Sequence, residues 1–214
     1  MIGIPIVIAS YLLGSIPSAF IMARIRRKAD IRRFGTGNVG AANVIRNIGV
    51  WEGIAVGLAD IAKGALGIFF GKLAGLPQPW MFGAGFSALV GHNFPCFIGF
   101  KGGKGATVTL GIFLMLFPKE TGIILGTMAF LLFVVRKFDF AISLSLVFLP
   151  LTIWLFDRDI PAVVYAAIIL LFMGIRSLPF IKRARPWKPQ GRPPGDKEGN
   201  FLEANRVDSK THSP

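Results

Sequence analysis

A chain of 214 residues with 53% hydrophobic side chains, a mean hydropathy of +0.60 and 20 phenylalanines has too little polar sequence to clothe a soluble domain. Its 24 Lys and Arg against 11 acids give +13, but the charges gather between apolar segments, a distribution that argues against nucleic acid as a partner. One cysteine, Cys96, excludes an intramolecular disulfide, a thiolate cluster and a CxxC redox pair.

What remains is an all-α polytopic membrane protein, because helices satisfy their own backbone hydrogen bonds in lipid. Apolar segments fall at about 2–23, 54–76, 80–100, 106–118, 121–135, 138–156 and 160–181. The first three and last two approach the ~20 residues that cross hydrocarbon; the fourth and fifth are short and fit one broken helix or two spans. Loop charge decides between these. Arg24, Arg26, Arg27, Lys28, Arg32, Arg33 and Arg46 follow the first segment, Lys101 and Lys104 the third, and Arg136 and Lys137 the fifth. Further basic residues, from Arg176 through Lys182, Arg183 and Arg185 to Lys210, close the chain. About seven transmembrane helices, with the N-terminus outside, place all of these in the cytoplasm. Merging the fourth and fifth would put the C-terminus on the wrong side.

Met1-Ile2-Gly3-Ile4 lacks the basic region of a signal peptide, so the first segment is expected to stay as an anchor. Residues 184–214 carry Pro186, Pro189, Pro193 and Pro194, mixed charge and few apolar side chains. They predict a disordered cytoplasmic tail, its basic start near anionic headgroups, after a transmembrane domain over 1–183.

Two polar, glycine-bracketed loops interrupt this pattern on one predicted face. The first runs from Gly35 through Thr36, Gly37, Asn38, Gly40 and Asn43 to Arg46; the second runs from Gly91-His92-Asn93-Phe94-Pro95 to Lys101-Gly102-Gly103-Lys104-Gly105. Glycines let backbone N–H groups turn onto an anion, and Arg and Lys add charge, so the pair points to phosphorylated substrates at a membrane surface. The alternative is a glycine-rich turn packed between helices and a short loop obeying the charge rule. Gly35-x-Gly37-x-x-Gly40 matches a dinucleotide fingerprint but lacks the preceding strand, and Lys101 to Gly105 lacks the upstream glycine and following Ser or Thr of a nucleotide-binding P-loop. His92 reads first as a packed histidine; with His212 the only other one and the acids scattered, no metal site is expected. Asp60 and Lys63, three apart within the second segment, should face the bundle interior and pair, either as scaffold or to order the first loop. Ser15 and Ser18 end the first segment, where Pro17 favours an opening in the helix.

Gly14-Ser15-Ile16-Pro17, the stretch Gly35 to Arg46, Asp60-x-x-Lys63-Gly64 and the second loop together resemble the bacterial acyl-phosphate-dependent glycerol-3-phosphate acyltransferases, the PlsY family. The resemblance implies a multi-pass enzyme of the bacterial inner membrane with its site on the cytoplasmic side. It implies transfer of a fatty acyl group from acyl phosphate to the 1-hydroxyl of glycerol 3-phosphate, with no cofactor, giving lysophosphatidic acid. On this reading Arg46 and Lys104 are catalytic with His92 a lesser candidate, and Ser15, Thr36, Gly37, Asn38, Gly40, Asn43, Lys101, Gly102 and Gly103 bind substrate. The chain departs from the family pattern where Thr36 replaces a serine and Ala42 a threonine. It also lacks the His and Asn of the third motif around Gly174-Ile175-Arg176. Two alternatives follow: a divergent paralogue with another phosphorylated acceptor, or a non-catalytic phosphate- or lipid-binding membrane protein.

Overall fold

The computed structural model describes residues 2–33 and 35–181. The tail expected over 184–214, with Lys182, Arg183 and His212, lies outside the described residues. Among those described, all regular structure is helical: α1 Gly3–Ser15, α2 Ser18–Arg27, α3 Ala41–Asn47, α4 Val50–Leu73 and α5 Gln78–Asn93, then α6 Ala106–Leu116, α7 Pro118–Val135, α8 Phe138–Val147, α9 Leu149–Phe156 and α10 Ile160–Ile181.

The burial pattern is that of a protein in lipid. Along α1, Ile4, Ile8 and Leu12 are exposed, whereas Gly3, Ser10, Gly14 and Ser15 are buried. On α4, Leu58, Phe69 and Leu73 face outward, while Gly53, Gly57, Asp60, Lys63, Gly64 and Gly67 face the bundle. Lipid tails are as apolar as leucine, so small residues that let backbones approach supply the association between helices. A Cβ at Gly14 would lie 2.8 Å from the Ala88 carbonyl carbon, and one at Gly91 would lie 2.9 Å from Ser15 N. Gly64 against Val108 and Gly111 against Ile61 bring α4 and α6 equally close.

Five stretches are long and apolar enough to cross a membrane: Gly3–Arg27, Val50–Leu73, Pro118–Val135, Phe138–Phe156 and Ile160–Leu178; Ala106–Leu116 is apolar but shorter. The fourth and fifth apolar segments are separate helices that meet at Phe117, ahead of Pro118. The third is shorter than the sequence suggested: α5 stops at Asn93, because Pro95 turns the chain into a short 3₁₀ turn, Cys96–Ile98. Two spans are interrupted by proline. Pro17 separates α1 from α2, with Ile16 extended at ψ 114°, and Pro150 follows the break at Phe148 between α8 and α9.

Two apolar clusters position the site. The larger joins α4 to α10 through Ile68, Leu89, Ile112, Phe113, Ile124, Leu146, Ile153 and Ile169. The smaller, Ala19, Ala23, Ile31, Val39, Ala41, Val44 and Val56, lies beneath the first loop. Phe138 packs against both.

Candidate active site

The first loop is built on two short polar anchors. Asp30 Oδ1 accepts hydrogen bonds from Arg32 N (3.0 Å) and Nε (2.9 Å), and Arg32 Nη2 reaches Oδ2 at 2.7 Å. Burial pushes the Asp30 carboxyl up, but the Arg32 hydrogen bonds and charge outweigh it and hold the group below its ordinary value. Arg32 Nη1 then donates to the Ile98 carbonyl at 2.9 Å, which ties the first loop to the second. Further along, Gly35 and Gly37 take left-handed φ values of +57° and +70°, where a side chain would be strained. Asn43 is the hub of this turn. Its Oδ1 accepts from Thr36 N and Asn47 Nδ2, and its Nδ2 donates to the carbonyls of Ile31 and Asn38. Gly40 caps α3, whose last turn carries Arg46.

The second loop folds back on the end of α5. Gly102 N donates to the Asn93 carbonyl and Gly103 N to the His92 carbonyl, both at 3.2 Å, which satisfies acceptors left open where the helix stops. Neither glycine has room for a side chain. A Cβ at Gly103 would collide with His92 Nε2 and stand 2.7 Å from the Val39 carbonyl oxygen, so the two loops touch here.

A cleft opens where the loops meet α6 and α8. Of the residues singled out in the sequence, Asn38, Gly40, His92 and Lys104 line it. Arg46 reaches the same place through Asp139, a cleft residue, with Nη2 2.9 Å from Oδ2. Thr36, Gly37, Asn43, Gly102 and Gly103 lie behind the cleft as the frame of the loops, Lys101 is exposed, and Ser15 is buried at the α1–α2 break with no partner for Oγ. Thr107, Asp139 and Ser143 also line the cleft and were not singled out. Asp139 could have been found: it is the only acid in the 138–156 segment, two residues after Lys137.

Behind the cleft runs a buried polar chain. Lys63 Nζ lies 2.9 Å from Asp60 Oδ1 and donates to the Ile16 carbonyl, also at 2.9 Å. The ammonium thus supports the α1 break opened by Pro17, while Asp60 Oδ2 accepts from Thr107 Oγ1 at 3.3 Å. Asp60 Oδ1 is 3.9 Å from His92 Nδ1, beyond hydrogen-bond reach. Arg176 sits at the other side of the α5 terminus, donating to the Asn93 carbonyl at 3.0 Å and stacking over Phe94. No group of three or more His, Cys, Asp or Glu that could hold a metal occurs among the described residues.

The family profile for glycerol-3-phosphate acyltransferases matches residues 4–185. The chain belongs to that family. Glycerol-3-phosphate acyltransferase from Endomicrobium trichonymphae is 36% identical over 185 residues, covering 86% of this chain and 92% of that one. Glycerol-3-phosphate acyltransferase 5 of Dehalococcoides mccartyi is 40% identical over 151 residues, but the alignment spans only 64% of its length. The crystal structure of PlsY (YgiH), an integral membrane glycerol 3-phosphate acyltransferase, in its glycerol 3-phosphate form, superposes with a TM-score of 0.79 at 26% identity, covering 88% of this chain and 96% of that one. Its lysophosphatidic acid form gives 0.75 at 27% identity. The family resemblance and the helical membrane fold expected from the sequence are therefore both borne out.

Proposed function

We propose that this protein transfers a fatty acyl group from acyl phosphate to the 1-hydroxyl of glycerol 3-phosphate, releasing lysophosphatidic acid and inorganic phosphate at the cytoplasmic face of a bacterial inner membrane. The observation that carries the reading is the convergence of Lys104, Asn38 and His92 in one cleft, with Arg46 at its edge, in a chain of this family. Acyl phosphate is already activated, so the work left to the protein is to align two anions and offset their repulsion. Lys104 and Arg46 supply charge, Arg46 as a planar fork suited to phosphate, and Asn38 supplies a neutral donor. The acceptor hydroxyl oxygen attacks the acyl carbonyl carbon, the carbonyl-to-phosphate C–O bond breaks, and the hydroxyl proton passes to an oxygen of the departing phosphate. This substrate-assisted route asks for no side-chain base. The rigid frame of Asn43, Gly102 and Gly103 holds the loops so that the cations meet. Seven spans with the N-terminus outside, and a separate cytoplasmic tail from residue 184, complete the proposal.

A different phosphorylated acceptor is the second reading, favoured by the Gly174-Ile175-Arg176 stretch, where Arg176 is engaged by the α5 terminus and the family's His and Asn are missing. One assay separates the two. Purified protein is given palmitoyl phosphate and radiolabelled glycerol 3-phosphate, beside Lys104→Met. Lysophosphatidic acid made by wild type and lost in the variant is the expected result. Phosphate release that needs another polyol phosphate would move the assignment to the second reading, and no cleavage of acyl phosphate by folded protein would refute both.

A further inference from the structure

Arg46, required above as a phosphate ligand, faces a carboxylate. Its Nη2 stands 2.9 Å from Oδ2 of Asp139, and the two residues come from distant parts of the chain, the last turn of α3 and the first turn of α8. Phe138, the neighbour of Asp139, packs against both apolar clusters, so the start of α8 is fixed in place and Asp139 has little freedom to withdraw. The same carboxylate lines the cleft with Lys104, Asn38 and Ser143.

The pair is poorly suited to be an anchor of the fold. Its side chains are 44% and 32% exposed, and an ion pair that open to solvent contributes little to stability. The buried scaffold pair looks different: Asp60 and Lys63 are 1% and 6% exposed. A half-exposed acid set against the cation of an anion site instead has a direct effect on binding. It offers Arg46 a negative charge that an incoming phosphate must displace.

Resting on the phosphate reading of the cleft, we propose that Asp139 is an affinity-determining residue that competes with the substrate phosphate for Arg46. It lowers the affinity of the cleft for anions. Removing its charge should tighten binding, the reverse of what removing a substrate ligand does.

The test is titration of the full chain in detergent with inorganic phosphate, for wild type, Asp139→Asn and Arg46→Gln/Asp139→Asn. Asp139→Asn should bind phosphate about two- to fivefold more tightly, the range expected for release of a solvent-screened pair. The gain should vanish when Arg46 is also replaced. Unchanged or weaker binding by Asp139→Asn, or a gain that persists without Arg46, overturns the inference. Should that variant fail to fold, Asp139→Ser carries the same expectation. Glycerol 3-phosphate turnover is measured alongside: absence of product from wild type would sink the proposed reaction, whereas the phosphate titration alone decides the role of Asp139.

Discussion

Gly103→Ala is the sharpest probe of how the two loops make one site. Gly103 is not among the glycines with positive φ, so its backbone would accept an alanine; the obstacle is space. The new methyl would collide with His92 Nε2, lie 3.0 Å from His92 Cε1, and stand 2.7 Å from the Val39 carbonyl oxygen. His92 is 6% exposed and Val39 3%, so neither can move into solvent. Overpacking of this kind costs roughly 1–3 kcal/mol. If that cost appears as displacement of the first loop from the second, kcat/KM for glycerol 3-phosphate should fall about 5- to 150-fold. Gly99→Ala is the control. Gly99 has φ +71° with nothing within 4 Å of an added Cβ, so it carries left-handed strain of about 1–2 kcal/mol without a collision. Thermal unfolding and acylation kinetics are read for both. Lowered stability in Gly99→Ala with normal kcat/KM, against lowered kcat/KM in Gly103→Ala, is expected; wild-type kinetics in Gly103→Ala would refute the argument that this contact sets the site.

Two further outcomes follow from the polar anchors. Replacing Lys63 by Met strands a buried carboxylate and the Ile16 carbonyl, and should cost about 3–5 kcal/mol in stability, as should Asp60→Asn through the stranded ammonium. The double variant should cost clearly less than the sum of the two, and additive losses of thermal stability would show that the residues act separately. The Asp30–Arg32 anchor gives a pH dependence. Because the folded carboxyl titrates below its ordinary 3.8, its contribution is complete above that pH and is lost as pH falls through the lower folded value. Thermal midpoints of wild type and Asp30→Asn should therefore differ at pH 7 and converge in acid below about pH 3.8, and a constant difference would refute the coupling.

The helices and loops were legible for different reasons. Seven apolar segments and the charge between them announced a helical membrane bundle, since period and composition survive without tertiary detail. Pro17 announced the break in the first span. What could not be read was which loop residues face the cleft. Asn43 looks like a ligand in the sequence, yet its side chain binds Thr36, Asn47 and the carbonyls of Ile31 and Asn38, because a turn with two left-handed glycines needs a side chain to gather its N–H and carbonyl groups. The pairing of Asp139 with Arg46 was hidden for the opposite reason. The acid comes from a segment almost 100 residues after the first loop, next to Phe138, which packs against the cluster under that loop.

The first loop is also held by parts of the chain made long after it. Arg32 waits for the carbonyl of Ile98 and Val39 for the backbone of Gly103. During synthesis, at about 5–20 residues per second, the loop emerges seconds before these partners exist. A chain stopped after its second hydrophobic segment therefore carries the left-handed turn at Gly35 and Gly37 but not the struts that hold it. The frame of the first loop is thus complete only once the segment from Ile98 to Gly103 has followed the third hydrophobic segment into place, so the loop doubles as a record of how far insertion has gone.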